Sequence, residues 1–133
     1  MDIDRIAGEL GVTVRTGRVP DGWWGAYSHT HHEITMRPRL GAIQRRSSLA
    51  HELGHAYYMH KRSTPQTERQ ASLWAARHLI KLPEFIDACQ IADTAQGIAH
   101  ILGVLPRDVS NYTLTLTSQD LAQIKQALNP GEP

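Results

Sequence analysis

His51-Glu52-Leu53-Gly54-His55, set within the run Ser48-Leu49-Ala50-His51-Glu52-Leu53-Gly54-His55-Ala56-Tyr57-Tyr58-Met59-His60, is the stretch whose reading decides the fold. On an α-helix, positions i and i+4 share a face, about 5–6 Å apart at Cβ. His51 and His55 can therefore aim two ring nitrogens at one metal ion, with Glu52 at the rim of the same site, placed to take a proton from an attacking water. Leu49, Leu53, Ala56 and Met59 recur at helical spacing beside the histidines, so the segment reads as a buried helix ending near His60. Polar groups beside such an apolar stripe are costly to bury unless something pairs with them, and a metal would do so. Gly54 costs roughly 1 kcal/mol against alanine in a helix interior, which close approach of a neighbouring backbone would explain.

Catalytic zinc usually has three protein ligands and an open position, so a third ligand is expected from another element. A histidine six residues beyond His55 is excluded, because Lys61 stands there, and His60 comes one position too early. Glu68 is the better candidate. Thr64-Pro65 reads as an N-cap and first helical position, opening a helix that runs to about Ile80 and stops before Pro83. With about 1.5 Å of rise per residue, an antiparallel pair of helices sets Glu68 level with His55. Ala71, Ser72 and Ala75 follow on one face and are small enough to let the helices approach closely. The set His51, His55 and Glu68 suits Zn2+, with Mn2+ or another divalent ion also admissible.

Upstream, residues 2–10 read as a short helix closed by Gly11. Thr13–Thr16 and Glu33–Met36 alternate like strands, Pro20-Asp21-Gly22 marks a turn, and Trp23–Ser28 supplies the middle strand. The fold class expected is α+β, a small and mostly antiparallel three-stranded sheet followed by the active-site helix and a helical C-terminal region. Of Trp23 and Trp24, one ring is expected in the core and the other over a turn. Tyr27, His31 or His32 could stabilise an oxyanion.

Residues 95–112 have the cadence of a helix-turn-helix, with Ile98, Ala99 and Leu102 packing the first helix, Gly103 at the turn, and Val109 and Tyr112 anchoring the second. Residues 91–133 carry two basic side chains, Arg107 and Lys125, against four acidic ones. Duplex DNA binding draws most of its affinity from phosphate neutralisation, so this balance argues against direct nucleic-acid contact. Two regions are expected, residues 1–90 holding the metal site and residues 91–133 forming a helical subdomain with a disordered tail from Asn129.

With 133 residues the chain is long enough to bury about two-thirds of its unfolded surface. No run approaches the roughly 20 apolar residues of a membrane span. The acidic start Met1-Asp2-Ile3-Asp4 lacks the layout of a secretory signal, and Cys89 is the only cysteine, so a cytoplasmic location is expected.

The segments Ser48–His55, Glu68-Arg69-Gln70-Ala71-Ser72-Leu73-Trp74-Ala75-Ala76 and Leu79–Pro83 together resemble the ImmA/IrrE metallopeptidases. Members of that family typically read Leu-Ala-His-Glu-Leu-Gly-His, then Glu-x-x-Ala-Asn-x-Phe-Ala, then an apolar pair near a proline. Here Ser72 stands where asparagine is usual and Trp74 where phenylalanine is usual; the first change removes an amide that would support a ligand. The resemblance implies a zincin-like fold in a bacterial cytoplasm, with His51, His55 and Glu68 holding zinc and Glu52 as general base. It also implies an endopeptidase acting on a helix-turn-helix repressor of phage, mobile-element or stress-response genes. In zincin-like folds the edge strand pairs with an extended substrate. The rival readings are a protein that inactivates a repressor without cutting it, and a regulator that binds a repressor or DNA through residues 95–112. The oligomeric state is left open.

Overall fold

The computed structural model describes residues 3–131. The chain runs α1 (Ile3–Glu9), β1 (Thr13–Thr16), β2 (Gly25–Ser28), β3 (Glu33–Met36), α2 (Ala42–Tyr57), α3 (Pro65–Leu79), α4 (Leu82–Cys89), α5 (Ala95–Leu102), α6 (Pro106–Leu114) and α7 (Ser118–Leu128). This is the expected α+β architecture, with the three short strands ahead of the histidine-bearing helix.

The sheet differs from expectation in two respects. Its order is β1-β3-β2, with β1 parallel to β3 and β2 antiparallel to it, so the sheet is mixed rather than mostly antiparallel. The middle position belongs to β3, and β2 is an edge. Burial explains the arrangement: Ile34 and Met36 of β3 are 0% and 1% exposed, whereas β1 carries mostly exposed polar side chains that suit a sheet margin. The pairing alternates so that Trp24 and Ala26 bond towards β3, as in the Arg37 N–H donating to the Trp24 carbonyl at 2.8 Å. The backbone groups of Gly25 and Tyr27 therefore point to the free edge.

Two apolar clusters hold the elements. The first joins α1, β3, α2 and α3 through Ile3, Ile34, Met36, Leu49, Leu53 and Trp74. The second joins the end of α3 to α4, α5 and α6 through Ile80, Phe85, Ile98, Val109 and Tyr112, with Leu79 packed against both. Capping fixes where the later helices start. The side-chain oxygens of Thr64, Thr94 and Thr117 accept from the N–H groups of Thr67, Gly97 and Asp120. Gly103 closes α5 in the left-handed conformation at φ 69°, the turn expected of a helix-turn-helix.

Helix α2 stops at Tyr57, earlier than the expected end near His60. Met59 takes the left-handed conformation at φ 54°, its N–H donates to the Ala56 carbonyl, and the His60 N–H donates to the His55 carbonyl at 3.0 Å. That pair of bonds is a Schellman closure, built on methionine rather than the usual glycine. It turns the chain back so that His60 lies beside His55. At the other end of the chain, Asn129 still caps α7, its N–H bonded to the Lys125 carbonyl at 2.9 Å, so the expected disordered tail does not begin there. Met1, Asp2, Glu132 and Pro133 lie outside the described residues, and with them the expected helix start at Asp2 and the last two residues of the expected tail. Among the described residues no helix is long and apolar enough to cross a membrane.

Candidate metal centre

Helices α2 and α3 are brought together by their small residues. A Cβ added to Gly54 would lie 2.7 Å from the Ala71 carbonyl oxygen and 2.8 Å from the Ala71 Cα, so the two backbones meet where glycine faces alanine. The close approach inferred for Gly54 is present, and it carries Glu68 across to the histidines. His51 Nε2 lies 3.0 Å from Glu68 Oε1, and His55 Nε2 lies 2.9 Å from Glu68 Oε2. One donor atom from each of His51, His55 and Glu68 falls within 4.8 Å of the others. Two imidazoles and a carboxylate converging in this way fit a divalent cation of the zinc type.

Glu52 points into the same cleft and is 9% exposed. Burial, and then the charge of Glu68, push its carboxyl up to about 8, opposed by the backbone N–H of Tyr27, which donates to it. Burial and the neighbouring His51 push His55 down to about 4. Burial alone would raise Glu68, yet its hydrogen bond with His51, the two histidines' charge and the Ser63 hydroxyl outweigh that and hold it below the usual carboxylate range. Gly25 is what admits Glu52 beside β2. A Cβ there would meet Met36 Sδ at 2.9 Å, Ser48 Oγ at 3.2 Å and Glu52 Cγ at 3.4 Å.

Around these groups lies a cleft of about 640 Å³, walled by the edge strand β2, by α2 and α3, by the segment Lys61–Ser63 and by the start of α6. Arg107 and Trp24 form one end, the guanidinium 4.9 Å from the ring centroid. The start of α6 is pinned to α2, because the Ser47 hydroxyl donates to Asp108 Oδ1 at 3.0 Å while Asp108 Oδ2 accepts from the Leu105 N–H at 3.0 Å. The second helix of the helix-turn-helix pair thus faces the cleft with Arg107, Asp108 and Asn111 and buries Val109 and Tyr112.

Several sequence expectations are redistributed by this geometry. Neither tryptophan is the core ring expected of one of them: Trp23 is 52% exposed and Trp24 is half-buried in the cleft wall. Of the oxyanion candidates, Tyr27 lines the cleft, whereas His31 is exposed and His32 is turned towards α1, its Nε2–H donating to the Leu10 carbonyl at 3.1 Å. The Tyr27 hydroxyl lies 3.3 Å from His29 Nδ1 and 3.4 Å from His32 Nδ1, within hydrogen-bonding distance of both rings. Ser72 keeps a hydrogen-bonding role despite replacing an amide, its Oγ 3.2 Å from His51 Nδ1. His78 stacks on Trp74 with ring centroids 3.8 Å apart, away from the cleft. His60, set aside on spacing, is 2.9 Å from His55. The one sequence signal that could have found it was the failure of the helix to continue, which no glycine announced.

A family model described as the IrrE N-terminal-like domain, of the M78 peptidases, matches residues 7–107. No curated protein and no solved structure matches the chain.

Proposed function

Since the chain belongs to the IrrE-like M78 peptidases, we propose that it is a zinc-dependent endopeptidase whose substrate is a helix-turn-helix transcriptional repressor in a bacterial cytoplasm. The observation that carries the reading is the convergence of His51, His55 and Glu68 with the buried carboxyl of Glu52 beside them. His51, His55 and Glu68 would hold the cation. When bound, a divalent ion there supplies Lewis acidity, polarising a carbonyl and easing deprotonation of water.

The remaining work falls to the chain's own side chains. Glu52 accepts a proton from the attacking water and delivers it to the leaving amide nitrogen. Its raised proton affinity in the metal-free protein suits a group that must both take up and release a proton, and a nearby cation would draw it back towards ionisation. The edge position of β2 along the cleft, where the Tyr27 carbonyl faces outward, supports an extended substrate bound as an added strand.

Packing of α6 against the cleft favours a protein substrate over DNA, because the helix that would enter a major groove has its anchoring face buried and its N-terminal side chains turned to the site. The test is co-incubation with the repressor encoded beside the gene, using wild type, Glu52→Gln and chelator-treated protein. Cleavage by wild type alone is expected, with kcat of Glu52→Gln lowered by about 10²–10⁴ and its metal retained. An intact repressor in every tube contradicts peptidase action, and full biological activity of Glu52→Gln favours inactivation without cutting.

A further inference from the structure

His55 makes a second contact on the side away from Glu68. Its Nδ1 lies 2.9 Å from Nδ1 of His60, and the other ring nitrogen of His60, Nε2, lies 2.8 Å from Oε1 of Gln70. Gln70 sits on α3, so the three side chains tie the end of α2 to the neighbouring helix. The Tyr58 ring stacks on His60 at 5.4 Å with an interplanar angle of 14°, which fixes the plane of the imidazole.

Donor and acceptor roles along this chain are determined by its far end. An amide oxygen only accepts, so Nε2 of His60 carries the hydrogen and donates to Gln70. Neutral His60 then presents a lone pair at Nδ1. Two ring nitrogens 2.9 Å apart need one proton between them, and it must come from His55. His55 is therefore the Nδ1–H tautomer, with its Nε2 lone pair facing the Glu68 carboxylate at 2.9 Å. Two lone pairs at that distance repel unless a positive species lies between them. His51 is held differently. Its Nδ1 meets the Ser72 hydroxyl, which can donate or accept and so does not dictate a tautomer.

We propose that His60, oriented by Gln70, is a positioning residue that fixes the tautomer of His55 and aims its Nε2 at the cation site. The proposal rests on the metal-site reading above. Outer partners of this kind raise the basicity of a ligating histidine and hold its ring, and their loss typically weakens metal binding 10–100-fold. The left-handed Met59 is part of the device, because the reversal there returns His60 to His55.

The test measures zinc affinity by competition with a chromophoric chelator for wild type, His60→Phe, His60→Asn and Gln70→Leu, with ring nitrogen NMR of the zinc-bound wild type. His60→Phe keeps a stacking ring but offers no acceptor, and its affinity should fall about 10–100-fold. Asparagine can place its amide oxygen close to where Nδ1 stood, so His60→Asn should recover most of that loss, and Gln70→Leu should fall between. NMR should show His60 protonated at Nε2 and His55 at Nδ1, a readout that does not depend on any variant folding. Wild-type affinity in His60→Phe, equal losses in His60→Phe and His60→Asn, or a His60 proton on Nδ1 would each overturn the proposal while leaving the metal site standing. Wild type that takes up no zinc overturns the metal-site reading and this proposal with it.

Discussion

Helices α2 and α3 close over polar groups, while α4, α5 and α6 close over hydrocarbon. In the first region Gly54 meets Ala71 backbone to backbone, and two histidines and two glutamates occupy the space that larger apolar side chains would otherwise fill. In the second, Phe85 packs on Tyr112 with ring centroids 5.0 Å apart, and Ile98, Val104 and Val109 complete an apolar cluster around them. The difference separates two tasks. The helix pair holds groups whose burial is unfavourable without a ligand, and the apolar cluster supplies ordinary packing that keeps α6 at the end of the cleft.

The sharpest way to break that division is to damage the apolar cluster and ask whether the site notices. Tyr112 is 1% exposed, and Tyr112→Ala should destabilise the protein by about 3–5 kcal/mol. Zinc affinity of the molecules that remain folded should be near that of wild type. Urea unfolding with parallel chelator competition checks this, and a loss of affinity matching the loss of stability would show the two regions to be one unit.

Gly54→Ala probes the opposite side. The new methyl meets backbone rather than a flexible side-chain end, so the helices must separate. The cost should be about 1–3 kcal/mol, outweighing alanine's better helix propensity, and zinc affinity should fall with it because Glu68 moves away from the histidines. Unchanged affinity in a destabilised Gly54→Ala protein would mean that close packing and metal geometry are independent.

A third effect is a pH slope in the metal-free protein. Glu52 binds its proton more tightly folded than unfolded, so its contribution to stability is fully present below about 4.5 and is lost as pH rises through about 8. Glu52→Gln cannot titrate and should lack that slope. Chelator-treated samples unfolded by urea at several pH values between about 5 and 9 test this, and parallel curves for the two proteins would contradict the burial assigned to Glu52.

The parts of this arrangement that are legible in sequence are local or follow from helix geometry. His51, Glu52 and His55 lie within one turn or so of one helix, and Thr64-Pro65 marks the start of the next closely enough for rise per residue to carry Glu68 across. Sheet order is not local. Which strand takes the centre depends on Ile34 and Met36 meeting α2, and alternation alone gives every short strand the same pattern. Trp24 and Arg107 meet only because Ser47 and Asp108 fasten α6 to α2, a contact between distant segments with no spacing rule behind it. His60 escaped for a subtler reason: a methionine adopts the left-handed closure that glycine usually signals, so the helix ends where its apolar periodicity still continues.

Zinc titration of metal-stripped protein tests the central claim most directly, comparing wild type with His55→Ala and Glu68→Ala. One equivalent should bind wild type tightly, and each variant should lose most of that affinity while keeping a wild-type far-UV spectrum. Equal uptake by Glu68→Ala and wild type would contradict the three-donor site, as would a wild-type protein that binds no zinc.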